Sequence, residues 1–206
     1  MKWHLPSDQD EIRQEIESGR FQQGHQSRID SFLTQWGSPR RSAIDVGAHV
    51  GVWTRWMLMT FQSVHAFEIM PPVRSCWIKN IQDPRARLYE WGLSDHEGQV
   101  SVEWSPERSV NTWVGGEGTT VRVKPLDHTE FDSVDYIKMD VEGHELSVLR
   151  GAESTIRRHR PIIHCELKQG ALARQGLVKQ DVRSWLRDRG YEQTLKFATE
   201  FVFTPR

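Results

Sequence analysis

From Ser42 to Leu167 the chain alternates short apolar runs with stretches of helical spacing, and this alternation limits the fold more than any other feature. SAIDVG reads as a buried strand and VGVWTRWMLMTF as a helix; SVHAFE is a strand and PPVRSCWIKNI a helix; ARLYEWGLS is a third strand. VDYIKMD is a fourth strand, a helix runs from about Glu145 to Arg158, and PIIHCEL is a fifth strand. Strands joined through helices pair in parallel, so the pattern specifies an α/β fold, a parallel sheet with helices on both faces. QDVRSWLRDRG then reads as a helix. YEQTLKF and EFVFTP are two strands joined by a tight turn at Ala198-Thr199, which makes them antiparallel. A different texture interrupts the series. GQVSVEW and TTVRVKPL alternate apolar and polar residues around the loop Gly115 to Gly118, as an antiparallel flap over residues 98–125 would.

Ahead of the alternation, Ser7 followed by Glu11 and Ile12 predicts a helix start, with the end near Gly19. SRIDSFLTQWG is a second amphipathic helix with Ile29, Phe32, Leu33 and Trp36 on one face, closed by Gly37 and Pro39. Residues 1–38 are thus expected to be a helical segment packed on one main domain, 39–206, a division that suits a length of 206 residues. The formal net charge is -1, whereas nucleic-acid binders usually carry a basic surplus. The basic clusters RRHR and RSWLRDR read as solvated helix faces. No apolar run approaches the roughly 18 residues of a membrane span. The opening MKWHLPSDQDEIRQEIE turns acidic and has no apolar centre, unlike a signal peptide. Cys76 and Cys165 form neither a CxxC pair nor a disulfide framework. A cytoplasmic protein is expected.

Chemistry concentrates where strands end, which is where ligands bind in such sheets. In AIDVGAHVG, Asp45 lies near the end of the first strand and Gly47 and Gly51 flank the turn into a helix. Glycine permits positive φ and close backbone approach. The spacing is neither G-x-G-x-x-G nor a phosphate-binding P-loop, and a purely structural turn also explains it. Glu68 ends the next strand, 17 residues after Gly51, where an acid can accept hydrogen bonds from a ribose diol or be a surface residue. GLSDHEG, from Gly92 to Gly98, either lines an adenine slot or is a plain turn. In YIKMDVEGHEL, Tyr136, Lys138 and Asp140 share one face of a strand buried on both sides, so Lys138 needs a partner. His164 and Glu166 on the neighbouring strand are candidates. Glu142 and Glu145 fall near a helix start, where the helix dipole favours acids. His144-Glu145 lacks the second histidine of the zinc motif H-E-x-x-H, since Val148 stands in its place.

AIDVGAHVG, HAFE, GLSDHEG, DYIKMDVEGHELSVLRGAE and PIIHCEL together resemble the FkbM-type S-adenosylmethionine-dependent methyltransferases, over about Ser42 to Leu167. IKMDVEGHE is the most specific block. The resemblance implies a Rossmann-like class I methyltransferase fold: a seven-stranded, mostly parallel sheet of order 3-2-1-4-5-7-6, strand 7 antiparallel, with helices on both faces. It implies S-adenosylmethionine as cofactor and O-methylation of a sugar or other natural-product-like small molecule. It further implies that Asp45, Gly47 and Gly51 hold the methionine part, Glu68 the ribose, and Ser94 with Leu93 and Asp95 the adenine, with Asp140 near the sulfonium methyl. His49 stands where the family commonly has Asn, and Ile69 where it usually has Pro; His49 also belongs to the expected cofactor loop.

Methyl transfer to an alcohol needs a positioned oxygen and a base. His144 is the preferred base because histidine titrates nearest neutral pH. Asp140 then orients the acceptor or offsets the sulfonium charge. Glu142 and Glu166 either bind sugar hydroxyls or join Asp140 around a divalent metal, the less favoured arrangement. Trp104 and Trp113 are either sugar-stacking platforms or flap packing. The competing readings are a nucleic-acid methyltransferase, an NAD-dependent oxidoreductase and a catalytically silent cofactor-binding fold. The balanced charge opposes the first, and the absent G-x-G-x-x-G loop opposes the second.

Overall fold

The structure, a computed structural model, describes residues 2–7, 12–109 and 112–206. Helix α1 (Arg13–Glu17) precedes Gly19, which takes φ +71°; Glu11, part of its expected start, lies outside the described residues. Helix α2 (Gln23–Trp36) begins four residues before the expected Ser27. Its Ile29 and Leu33 are fully buried and Phe32 packs beside them. Trp36 falls off that face, 44% exposed, and stacks on Phe32 instead. Gly37, at φ +70°, ends the helix by donating to the Leu33 and Thr34 carbonyls.

Strand β1 (Ser42–Val46), helix α3 (Val52–Thr60), strand β2 (Ser63–Phe67) and helix α4 (Pro71–Asn80) follow as expected. The third strand does not run through. It is split into β3 (Ala86–Tyr89) and β4 (Gly92–Leu93), because the chain leaves the sheet edge where Gly92 packs against Ile69 and Val123. Strand β4 joins β5 (Gly98–Glu103), β6 (Trp113–Val114) and β7 (Thr119–Lys124) in a second sheet of order β4-β7-β5-β6. In it β5 pairs antiparallel with β6 and β7, while β4 pairs parallel with β7.

Strand β8 (Tyr136–Met139) returns to the large sheet. The expected helix from Glu145 to Arg158 is two helices, α5 (Glu145–Gly151) and α6 (Glu153–His159), broken at Ala152, φ -111°. The break has two tertiary causes. Gly151 lies so close to the Ser94 carbonyl that a Cβ would stand 1.9 Å from its oxygen. The Asp127 carboxylate accepts from the Ser154 and Thr155 amides, both at 2.8 Å, and so caps α6 from outside the helix. Strand β9 (Ile162–Glu166) leads into a short helix that was not expected, α7 (Gln169–Arg174). Helix α8 (Lys179–Arg187) and strands β10 (Tyr191–Phe197) and β11 (Glu200–Pro205) complete the chain.

The large sheet has seven strands in the order β3-β2-β1-β8-β9-β11-β10. Its strands pair in parallel from β3 to β9, and β11 runs antiparallel to both its neighbours. This is a mostly parallel, methyltransferase-like α/β sheet. The labels depart from the expected 3-2-1-4-5-7-6 because four strands of the smaller sheet intervene between β3 and β8 along the chain. Alternation along the strands sends Ile44, Val46, Ile137 and Met139 toward Leu146, Leu149 and Leu186 on one face. Ala43, Val64, Ala66 and Tyr136 meet Trp53, Trp56, Met57 and Trp77 on the other. A third cluster joins Ile12 and Ile16 to Val50, Met70 and Val73 and to Val102 and Val121 of the small sheet. Among the described residues no helix is long and apolar enough to cross a membrane.

Candidate functional site

The ends of β1, β2 and β8 open on one cavity of about 980 Å³, counting the space open to solvent. The turn after β1 holds three left-handed residues, Gly47 (φ +75°), His49 (φ +50°) and Gly51 (φ +99°), and the first two reach the cavity. Gly47 cannot be replaced without cost, since a Cβ there would lie 2.1 Å from the Asp140 carbonyl oxygen. The turns after β1 and β8 therefore touch backbone to backbone. The amides of Gly47 and Ala48 both donate to the Phe67 carbonyl, which ties the turn to the end of β2. Glu68 completes the junction: its Oε2 accepts from the His49 amide and its Oε1 from the Met70 amide, both at 2.9 Å. Burial raises the Glu68 pKa, and those amides pull against it.

Of the residues expected at a site, Gly47, His49, Glu68, Leu93, Asp140, Glu142 and His144 line this cavity. Asp45, Gly51, Ser94 and Glu166 lie behind it. Asp45 is fully buried, accepts from the Thr54 hydroxyl at 2.7 Å and is raised in pKa by burial, against the pull of Lys138. Gly51 packs on Ile81 and Trp77. Ser94 is fully buried, and its Oγ lies 3.0 Å from His144 Nε2. Burial lowers the His144 pKa, which keeps the ring neutral. Trp113 lines the cavity; Trp104 packs in the N-terminal cluster instead.

Lys138 finds its partner just past the end of its own strand. Its Nζ lies 3.7 Å from Asp140 Oδ2 and over the Trp53 ring, 5.3 Å from the centroid. Burial opposes its charge, and Asp140 and Asp45 more than restore it. The expected candidate His164 is opposite Lys138 in register but turns to Glu200, at 2.7 Å, and to the Tyr136 hydroxyl, at 2.6 Å. Asp140 is disfavoured as an anion by burial, yet Lys138 and Lys168 outweigh this and hold its pKa low. Burial and the neighbouring Asp140 push the Glu166 pKa up to about 8.

Several wall residues escaped sequence reasoning. Phe21 and Gln22 reach the cavity from the N-terminal segment, and Gln22 takes φ +56°. Ser109, from the connection between β5 and β6, also lines it and places Oγ 2.7 Å from His49 Nε2. Lys168, which is not on the wall but pairs with Glu142 and Glu166, also escaped it; its signal was an ionisable residue two places past the acid that ends β9.

Glu145 sits beneath the site, 1% exposed. Its Oε1 accepts from the Gly143 amide at 3.1 Å, and burial pushes its pKa up to about 7 from 4.5. A raised carboxyl stabilises the fold fully below about pH 4.5, and this contribution disappears as pH rises through about 7. Urea unfolding at pH 5 and pH 8 is expected to show the native chain losing about 3 kcal/mol more than Glu145→Gln across this interval. Equal losses in the two proteins would remove Glu145 from the linkage.

The chain matches the model of one protein family, the methyltransferase FkbM domain, over residues 45–192. No curated protein matches it. Its fold is similar to that of methyltransferase FkbM from Methylobacillus flagellatus KT, at 20% identity and a TM-score of 0.57, over 82% of this chain and 45% of that one. The chain therefore spans less than half the length of that relative. A TehB-like SAM-dependent methyltransferase from Corynebacterium glutamicum is 15% identical, TM-score 0.54, over 94% of each chain. Magnesium protoporphyrin IX methyltransferase from Synechocystis, solved with bound SAM, is 13% identical, TM-score 0.51, over 96% of this chain and 85% of that one. At these identities the likeness to solved structures is one of fold.

Proposed function

The chain belongs to the FkbM methyltransferase family, and from that premise we propose that it transfers a methyl group from S-adenosylmethionine to a hydroxyl of a small acceptor, a sugar or a similar natural-product-like compound. The observation that carries this reading is one cavity with Glu68 clamped by two backbone amides on its wall and with Asp140 and His144 also lining it. The residues fit the cofactor. Each Glu68 oxygen accepts one amide hydrogen bond, and a carboxylate oxygen has room for another, as a ribose diol requires. Ile69 and Leu93 line the same cavity and offer apolar surface to an adenine. Gly47 and His49 would border the methionine part. When bound, the cofactor supplies a methyl group activated on a sulfonium.

The chain's own groups would do the rest. Ser94 engages His144 Nε2, so Nδ1 is the nitrogen assigned to take the acceptor's hydroxyl proton. The neutral ring set by burial suits that task. Asp140, held ionised by its lysines, would orient the acceptor, and Glu142 would bind a second hydroxyl. Trp113 lines the cavity with the Arg174 guanidinium 5.0 Å from its ring centroid, which supports a sugar ring stacked on it. We assign residues 39–206 to the methyltransferase domain, 98–125 to an acceptor-side flap and 1–38 to a helical segment packed on the core. The thiols of the buried Cys76 and Cys165 suit the cytoplasm.

Calorimetric titration with S-adenosylhomocysteine, and with NAD in parallel, tests the reading. Micromolar binding of the first and no heat with the second is expected, followed by methyl transfer to members of a sugar panel. A folded protein that gives no heat with S-adenosylhomocysteine would overturn it.

A further inference from the structure

Part of the cavity wall comes from outside the stretch that matches the family. Phe21 and Gln22 line it together with Ala48, His49 and Val52, whereas the match begins at residue 45. Gln22 takes φ +56°, a left-handed conformation that a glutamine keeps only where its surroundings impose it. Its side-chain oxygen is buried and has no hydrogen-bond partner among the described residues, although buried amide oxygens are normally satisfied. Gln26, one helical turn on, donates from Nε2 to the Val52 carbonyl at 3.5 Å. His25 Nδ1 lies 3.3 Å from Glu200 Oε1, and its ring meets Phe197 edge-on with centroids 5.2 Å apart. Arg28 stands over the same Phe197 ring at 5.4 Å. Phe197 and Glu200 belong to the terminal hairpin, beyond the end of the match at residue 192. Glu200 is 1% exposed along its side chain, and its Oε2 lies 2.7 Å from Nε2 of the buried His164. The two flanks of the matched domain are thus fastened to each other, and the fastening holds Phe21 and Gln22 at the cavity.

We propose that Gln22 is a further cofactor-binding residue: with Phe21 beside it, its amide closes the cavity over the amino-acid part of S-adenosylmethionine, and His25, held by Glu200, is the positioning residue that keeps it there. The inference deepens the methyltransferase reading and rests on it for the identity of the ligand. The amino-acid part is chosen because of where the segment sits. Phe21 packs on the cluster that contains Val50, and Gln26 reaches Val52, so the segment borders the turn after β1, whose Gly47 and His49 are assigned to the methionine part. An α-amino acid carries an ammonium and a carboxylate. A primary amide, with an acceptor oxygen and two donor hydrogens, can serve either one. Phe21 would keep water from that contact, and a hydrogen bond shielded from water is electrostatically stronger.

The test compares calorimetric titrations with S-adenosylhomocysteine and with methylthioadenosine, which keeps the nucleoside and the thioether but lacks the amino acid. Gln22→Ala, verified as folded by thermal melting, is expected to bind S-adenosylhomocysteine about tenfold more weakly than the native chain, and methylthioadenosine within about twofold of native. His25→Leu leaves Glu200 with His164. It is expected to raise amide hydrogen exchange over residues 20–26 in the free chain and to weaken S-adenosylhomocysteine binding about threefold. His25→Gln, which still offers Glu200 a donor, should restore both. A folded Gln22→Ala with native affinity for S-adenosylhomocysteine, or with equal losses for the two ligands, would overturn the proposal. So would a His25→Leu variant with native exchange and native affinity. A native chain that does not bind S-adenosylhomocysteine overturns the methyltransferase reading and this assignment together, whereas native binding that Gln22→Ala leaves untouched overturns this assignment alone.

Discussion

Titrated with S-adenosylhomocysteine, Glu68→Ala is expected to bind about 100-fold or more weakly than the native chain, because two charge-assisted hydrogen bonds at roughly 1.5–3 kcal/mol each are lost together. Glu68 is 7% exposed, and it does two jobs at once. It faces the cavity, and it satisfies the amides of His49 and Met70. Alanine removes both functions, so the turn after β1 also loses an anchor. Glu68→Gln separates them. The amide side chain keeps one acceptor oxygen but brings a donor where the native carboxylate accepts. Its fold should survive better than that of the alanine variant, while its affinity falls between native and alanine. Affinity of a folded Glu68→Ala within about threefold of native would take the ribose away from Glu68 and require another wall of the cavity to hold it.

The sequence was most informative where function and backbone geometry ask for the same residue. Gly47 is needed because the Asp140 carbonyl leaves no room for a Cβ, so its place in AIDVGAHVG and that of Asp140 in YIKMDVEG mark two turns that meet. The strand alternation and the terminal hairpin were legible for a related reason, since burial on one or both faces sets a period that survives in the residue types. What was hidden depends on contacts far apart in the chain. Nothing local indicates that Ser94 engages a histidine 50 residues away, or that His164 turns to Glu200 across the sheet instead of serving Lys138. The helix break at Ala152 did have a local mark in Gly151. Its cause, the Ser94 carbonyl, is again a tertiary contact. Side-chain placement explains the same division among the expected site residues. Asp45 and Glu68 both stand at strand ends, yet Asp45 is drawn inward by the Thr54 hydroxyl, while Glu68 is fixed at the wall by two amides.

Lys138→Met is expected to destabilise the fold by about 3–5 kcal/mol, the cost of leaving buried charge without its partner. Lys138 is 1% exposed, and methionine keeps most of its length against Trp53, so packing alone accounts for little of the loss. The charge balance decides the outcome. Asp45 is fully buried, and burial raises its pKa even with Lys138 present; without the lysine it rises further. Asp140 would keep the pull of Lys168 but lose that of Lys138. In the native chain the depressed Asp140 contributes stability above the ordinary carboxylate range and loses it as pH falls through its folded pKa. In the variant the raised Asp45 works the other way, with stability present at low pH and lost as pH rises. The deficit relative to native should therefore be small at about pH 4 and grow toward pH 8 in urea unfolding. Asp45→Asn added to Lys138→Met should recover much of it, since asparagine still offers an oxygen to Thr54. A deficit that does not change with pH, and that Asp45→Asn leaves in place, would show that Lys138 acts through its packing on Trp53 and not through its charge.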